Sequence, residues 1–161
     1  LGRKTYEIFA AHWPHAGDDP MARKLNDARK YVVSSVERPL AWKNSRLITG
    51  DVTGAIARLK REDGPELQVH GSTRLIQTLL TAGLIDELRL WIFPVVVGAG
   101  KRLFDQGTVP AGLAVVDSKT SSSGVLIVSY RPAGAIKSGS FQIDPPHADE
   151  LARRERLARG G

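Results

Sequence analysis

Three short stretches put small residues, hydroxyls and cations where a strand gives way to a turn or a helix. Residues 68–80 read QVHGSTRLIQTLL. An apolar run stops at His70, then Gly71, Ser72 and Thr73 follow, and Arg74 stands in the first turn of a helix that begins at once. The stretch Leu1-Gly2-Arg3-Lys4-Thr5 repeats the recipe ahead of another helix, and Val33-Ser34-Ser35 sets two hydroxyls at a strand's end. A helix start offers unpaired N–H groups and the positive end of the helix dipole. Phosphate binds such a place readily. A glycine lets it approach the backbone without meeting a Cβ. Ser72 and Thr73 can cap the helix and also donate to phosphate oxygens, and Arg74 adds charge. The adjacent cations Arg3 and Lys4 suit a doubly charged phosphate monoester, with Arg3 able to bind it in bidentate fashion. The plainer reading makes Ser72 an N-cap, Arg74 a solvated side chain, and Ser34 and Ser35 a loop. Three such turns at the carboxyl ends of one sheet's strands favour a dinucleotide spread along the sheet edge.

The familiar signatures of nucleotide binding fail. Gly98-Ala99-Gly100 follows a strand, but Leu103 stands where GxGxxG needs its third glycine. Val95 and Arg102 stand where GxxxxGK[ST] needs its first glycine and its hydroxyl. Pro94, Gly98, Gly100, Lys101 and Arg102 are left as an exposed turn with two cations. His12 and His15 flank Pro14, which spoils helical ligand spacing, so they read as surface residues and no metal is expected. His70, ending a strand beside Gly71, reads as a packing residue. No GxSxG and no nucleophile–base pair is legible, and the catalytic residues stay unassigned.

The elements that would carry these turns follow from periodicity. The chain has 161 residues, of which 42% are hydrophobic and 25% charged, enough for one compact domain with a core. It holds no cysteine, which excludes disulfides and thiolate metal sites. No apolar run reaches the roughly 20 residues that span a bilayer, and no signal peptide is legible, so no membrane role and a cytoplasmic location are expected. The formal charge is +6, but the cations are scattered. Only Arg153, Arg154, Arg156 and Arg159 cluster, diluted by three acids, so nucleic acid is the lesser alternative.

Tyr6, Phe9, Ala10 and Trp13 mark one face of a first helix. Asp19-Pro20 opens a second, Asp51 caps a third reaching about Glu62, and residues 73–82 form a fourth with Leu75, Ile76, Leu79 and Leu80 inward. Strands are expected at 30–34, 46–49, 67–70, 88–97, 112–118 and 125–130, with Pro94 marking a bulge or strand end. Helix and strand alternate first and strands alone finish. The fold class is α/β: a mixed, mostly parallel central sheet flanked by helices, with antiparallel strands at the C-terminal end. Residues 1–134 form the domain. Residues 135–161 form a charged extension, in which Phe141 and Ile143 are expected to dock on the domain and residues 147–161 to be mobile or weakly helical.

Gly2-Arg3-Lys4-Thr5-Tyr6-Glu7, Lys30-Tyr31-Val32-Val33-Ser34, Trp42 with Asn44, and Val69-His70-Gly71-Ser72 together resemble the dihydrofolate-reductase-like superfamily. The stretch from Gly83 to Leu90, then Pro94 and Gly98 to Phe104, narrows the resemblance to the reductase domain of bifunctional riboflavin-biosynthesis proteins, the RibD C-terminal domain. It covers about residues 1–132. It implies the three-layer fold of that superfamily, an NADPH cofactor, a small pyrimidine-, pterin- or carbonyl-type substrate and a homodimer. The resemblance implies that Gly2, Arg3, Lys4 and Thr5 meet the 2′-phosphate and pyrophosphate side. It sets Val33, Ser34 and Ser35 near the adenine ribose phosphate, and has the helix start from Gly71 through Ser72, Thr73, Arg74 and Leu75 hold the pyrophosphate. The turn from Pro94 to Gly100 lies near the substrate in that family, where Lys101 and Arg102 would meet a substrate phosphate. The family carries a strand, a loop and a helix before the GRKT turn, whereas this chain opens inside it. An incomplete sequence is therefore expected, with catalytic residues upstream of Leu1. An NADP(H)-binding module without activity is the alternative.

Overall fold

The computed structural model describes residues 1–137, 139 and 144–160; Phe141 and Ile143 lie outside them. Helix α1 (Arg3–His12) continues into a single 3₁₀ turn at Trp13–His15, and α2 spans Pro20–Asp27. Strands β1 (Lys30–Val33) and β2 (Ser45–Ile48) follow, then α3 (Val52–Leu59) and α4 (Thr73–Thr81). Strands β3 (Leu88–Ile92), β4 (Leu113–Thr120) and β5 (Leu126–Pro132) precede a last helix, α5 (Ala148–Arg159). The C-terminal segment expected to be weakly structured is thus helical over most of its length. Its Glu150 carboxylate pairs with Arg153 at 2.6 Å and Arg154 at 3.0 Å.

The mixed α/β class stands, but the strands make two separate pieces rather than one mostly parallel sheet. β1 and β2 pair in parallel, Lys30 opposite Ser45 through Val33 opposite Ile48. β3, β5 and β4 form an antiparallel sheet in that order. The β4–β5 hairpin turns between the strands expected at 112–118 and 125–130. Gly124 takes φ +80° there, and the Ser121 amide donates to Val125 O at 2.9 Å. β3 ends at Ile92, opposite the first residue of β5 and two residues short of Pro94, so the strand expected over 88–97 is half as long.

The strand expected at Leu67–His70 is not formed. The segment has no strand assignment and pairs in no ladder among the described residues. A strand depends on ladder hydrogen bonds and cross-strand neighbours, so apolar composition alone does not make one. A cleft of about 670 Å³, lined by Val69, His70, Gly71, Leu103 and residues 89–92 of β3, lies along it. Beside it, the Arg89 guanidinium grips the Glu66 carboxylate through two bonds of 2.9 and 3.0 Å.

The firmest packing lies under α1. Tyr6, Val32 and Trp42 are buried together, with Leu1, Phe9, Ala10, Trp13, Leu25 and Leu40 against them. Tyr6 and Trp42 rings lie 6.1 Å apart, and the Trp42 amide donates to the Tyr6 hydroxyl at 3.1 Å. Trp42 Nε1 donates to Asn26 Oδ1 at 2.6 Å, so the buried indole is satisfied. Lys30, which reads as one of many scattered cations, is buried at 6% exposure. Its ammonium donates to Leu25 O, Asn26 O and Ala28 O at 2.8–3.0 Å, capping the C-terminal end of α2, and sits 4.3 Å from the Trp42 ring centre. Burial holds its pKa below the usual lysine value. Helix α4 buries Leu75 and Leu79. Gly83 at φ +64° ends it, with the Leu84 amide donating back to Leu79 O at 2.8 Å.

Candidate functional site

Two of the expected anion-binding turns meet, and the third lies alongside. Gly2 forms a parallel bridge with Val33, the last residue of β1, and the Val33 amide donates to Leu1 O at 2.8 Å. The Gly2 amide donates to the Ser72 hydroxyl at 2.8 Å, across 70 residues of chain. Ser72 Oγ in turn lies 3.0 Å from Thr5 Oγ1. The approach is close: a Cβ on Gly2 would stand 3.1 Å from Ser72 Oγ and 3.2 Å from Ser72 Cβ. Gly71 holds φ +53°, and a Cβ there would meet Thr5 Oγ1 at 3.6 Å. The starts of α1 and α4 are therefore neighbours, joined through Gly2, Thr5, Gly71 and Ser72.

Neither start is capped by a side chain. α1 has Gly2 at its N-cap and α4 has Ser72, which makes no capping bond, and neither first turn holds an acid. The expectation that Ser72 caps α4 is corrected here. Its backbone is left-handed, φ 59° and ψ 51°, so the hydroxyl swings away from α4's first turn toward Gly2. Arg3 and Lys4 stand in the first turn of α1, and Arg74 in that of α4. Arg3 bonds Glu7 at 3.0 Å on the exposed face of α1. Lys4 and Arg74 are exposed and make no ion pair among the described residues. Thr73 is half-buried at the helix start, and Leu75 faces the interior, so only its backbone amide is on offer.

The remaining sequence-derived positions fall less centrally. Ser34 closes a local turn: its hydroxyl donates to Val36 O at 2.8 Å and accepts from the Val36 amide at 3.1 Å. Ser35 is exposed at the bend that follows. Pro94, Gly98, Gly100, Lys101 and Arg102 lie in the exposed segment after β3. That segment is tied to α4 by Gln77, whose amide donates to Leu103 O and accepts from Thr108 Oγ1 at 2.8 Å. Leu103 thereby enters the cleft that also holds His70, Gly71 and Trp91. Gln77, Leu103 and Trp91 carry no signal in the sequence that separates them from ordinary helix and strand residues. His70 is exposed, with its ring 6.0 Å from that of Phe9, and partial desolvation, then the nearby N-terminal ammonium, pushes its pKa below the usual histidine value. His12 stacks edge-on against Trp13 at 4.9 Å.

The profile of the RibD C-terminal domain family matches residues 1–127, and the chain belongs to that family. The protein YyaP of Bacillus subtilis (strain 168) is 31% identical over 133 residues, which are 80% of this chain and 70% of YyaP. YwjB of the same organism is 27% identical over 119 residues, covering 74% of this chain and 64% of YwjB. Among solved structures, a Shewanella sp. PV-4 protein named for riboflavin biosynthesis superposes with a TM-score of 0.65 at 24% identity. The match covers 82% of this chain and 71% of that one, and establishes the shared fold. No helix among the described residues is long and apolar enough to cross a membrane.

Proposed function

We propose that this chain is the cofactor-binding body of an NADPH-dependent reductase acting on a small pyrimidine-, pterin- or carbonyl-type substrate. One observation carries the reading: α1 and α4 begin side by side, both without a side-chain cap, both without an acid in the first turn, and with Arg3, Lys4 and Arg74 in those first turns. Such a donor set fits the phosphates of a dinucleotide, since it supplies amides, dipole ends and cations together and no competing carboxylate cap. Membership of the RibD C-terminal family supports the same cofactor.

When bound, NADPH supplies a hydride to the substrate carbon. The chain's own part is positional. The amides at the starts of α1 and α4 hold phosphate oxygens, and Arg3 and Lys4 take the extra phosphate that separates NADPH from NADH. The open cleft beside Gly71, with Val69, Leu90, Ile92 and Leu103 on its walls, offers apolar surface to whatever ring lies next to the pyrophosphate. Lys101 and Arg102, carried on the segment that Gln77 anchors, stand ready for an anionic group on the substrate. A second copy of the chain completes this proposal as a homodimer, covering the exposed run of Phe93 and Val95 to Val97.

Isothermal titration with NADPH and NADH tests the reading. NADPH is expected to bind far more tightly, and equal affinities remove the phosphate clamp. Hydride transfer to pyrimidine, pterin and small carbonyl substrates, followed at the nicotinamide absorbance, separates an enzyme from a binding module. Binding without turnover of any of them assigns the second.

A further inference from the structure

We propose that Ser72 is a positioning residue: its hydroxyl pins the start of α1 to the start of α4 and sets the spacing of the two phosphate sites, without itself touching the cofactor. The inference rests on the cofactor reading above and adds a role that reading does not contain.

The hydroxyl is fully engaged inside the protein. It accepts from the Gly2 amide at 2.8 Å, and its single proton is shared between Thr5 Oγ1 at 3.0 Å and His70 O at 3.1 Å. Little hydrogen-bonding capacity is left for a phosphate. The backbone conformation that makes this possible is one that serine rarely adopts: φ 59° follows directly on Gly71 at φ +53°. An ordinary N-cap serine has an extended backbone and bonds its own helix. Here the side chain is turned the other way, which leaves α4's first turn with no side-chain cap and spends the hydroxyl on a helix 70 residues distant. Gly2 completes the fit, since a Cβ there would crowd Ser72 Oγ at 3.1 Å.

The consequence is specific. A ligand with phosphates on both helix starts gains from a fixed spacing, because ordering the two starts is done before it arrives. A ligand with a single phosphate engages one start and does not feel the pin. Ser72→Ala removes the hydroxyl, and Ser72→Gly removes it together with the left-handed strain, so a folded variant is available in either case. NADPH affinity is expected to fall at least tenfold in both variants, while adenosine 2′-monophosphate binds each within twofold of the wild type. In the unliganded protein, amide exchange at Gly2, read by NMR, is expected to accelerate in both.

Unchanged NADPH affinity overturns the proposal. So does an equal loss for adenosine 2′-monophosphate, which would make the hydroxyl a direct phosphate contact or a general support of the fold. Unchanged protection of the Gly2 amide overturns it as well. A wild-type protein that binds no NADPH overturns the cofactor reading instead, and the Gly2 exchange experiment still decides whether Ser72 is a pin.

Discussion

Helices α2 and α3 begin differently from α1 and α4. Asp19 closes the start of α2, accepting from the Met21 and Ala22 amides at 2.7 and 2.9 Å. Asp51 does the same for α3, accepting from the Gly54 amide at 2.8 Å, and that bond and the Thr53 hydroxyl hold its carboxyl below the usual range. Those two starts are internally satisfied and carry a negative charge. The starts of α1 and α4 lack both, and they are the pair that meets at Gly2 and Ser72. The first four helices, made by one chain under the same rules, thus divide into two whose starts are capped and two whose starts are not. A carboxylate cap is worth about 1 kcal/mol of stability. Omitting it twice, at adjacent places, forgoes that stability and leaves the first-turn amides of α1 and α4 without a side-chain partner.

The largest expected effect comes from closing an open start. Gly71→Val puts a β-branched residue at φ +53°, where only glycine is at ease, and aims its branches at Thr5 Oγ1. Calorimetric NADPH binding is expected to vanish while far-ultraviolet circular dichroism still shows a folded protein. A variant that binds normally makes the turn a simple helix start. Next comes the cation. Arg3→Ala should weaken NADPH by roughly tenfold, in the range of a hydrogen bond to a charged group, and leave NADH unchanged. The difference should shrink as salt is raised, because the site is exposed. Equal losses for both cofactors would move the extra phosphate elsewhere.

The capped starts sharpen the comparison from the other side. Asp19→Ala should lower unfolding stability by about 1 kcal/mol in urea titrations and leave NADPH affinity where it was. Asp51→Ala should act in the same direction. A change in cofactor affinity on either would erase the distinction between the two kinds of start. The smallest effect is that of His70. Burial lowers its folded pKa, so the native state resists the proton that the unfolded chain accepts near pH 6.5. Stability is unaffected above that pH and falls as pH drops through it toward the folded value. In His70→Gln, the melting temperature should vary less with pH below about 6.5 than in the wild type, and identical slopes would show that this histidine does not titrate on unfolding.

Much of this was legible residue by residue. Asp19-Pro20 and Asp51 announce capped helices within a single turn, and the structure forms both. Leu75 and Leu79 announce the buried face of α4 by their spacing alone, and Gly83 announces its end. What proved illegible depends on partners distant in the chain. Leu67–His70 has strand composition, yet no neighbour pairs with it, and composition does not reveal whether a partner is there. Lys30 looks like any surface lysine until the end of α2 and the Trp42 ring close over it. Gln77 looks like a surface helix residue until the segment at Leu103 and Thr108 folds back on it.

The amino-acid order alone determined which groups stand at each helix start, because capping, dipole and first-turn charge are settled within three or four residues. It also determined the family, through motifs kept in order along the chain. The tertiary structure decided that the GRKT and GSTR turns touch, and that the Ser72 hydroxyl faces Gly2 rather than its own helix. The Gly2 amide and the Ser72 hydroxyl, 70 residues apart, meet only when the chain has folded, and no local preference encodes that contact.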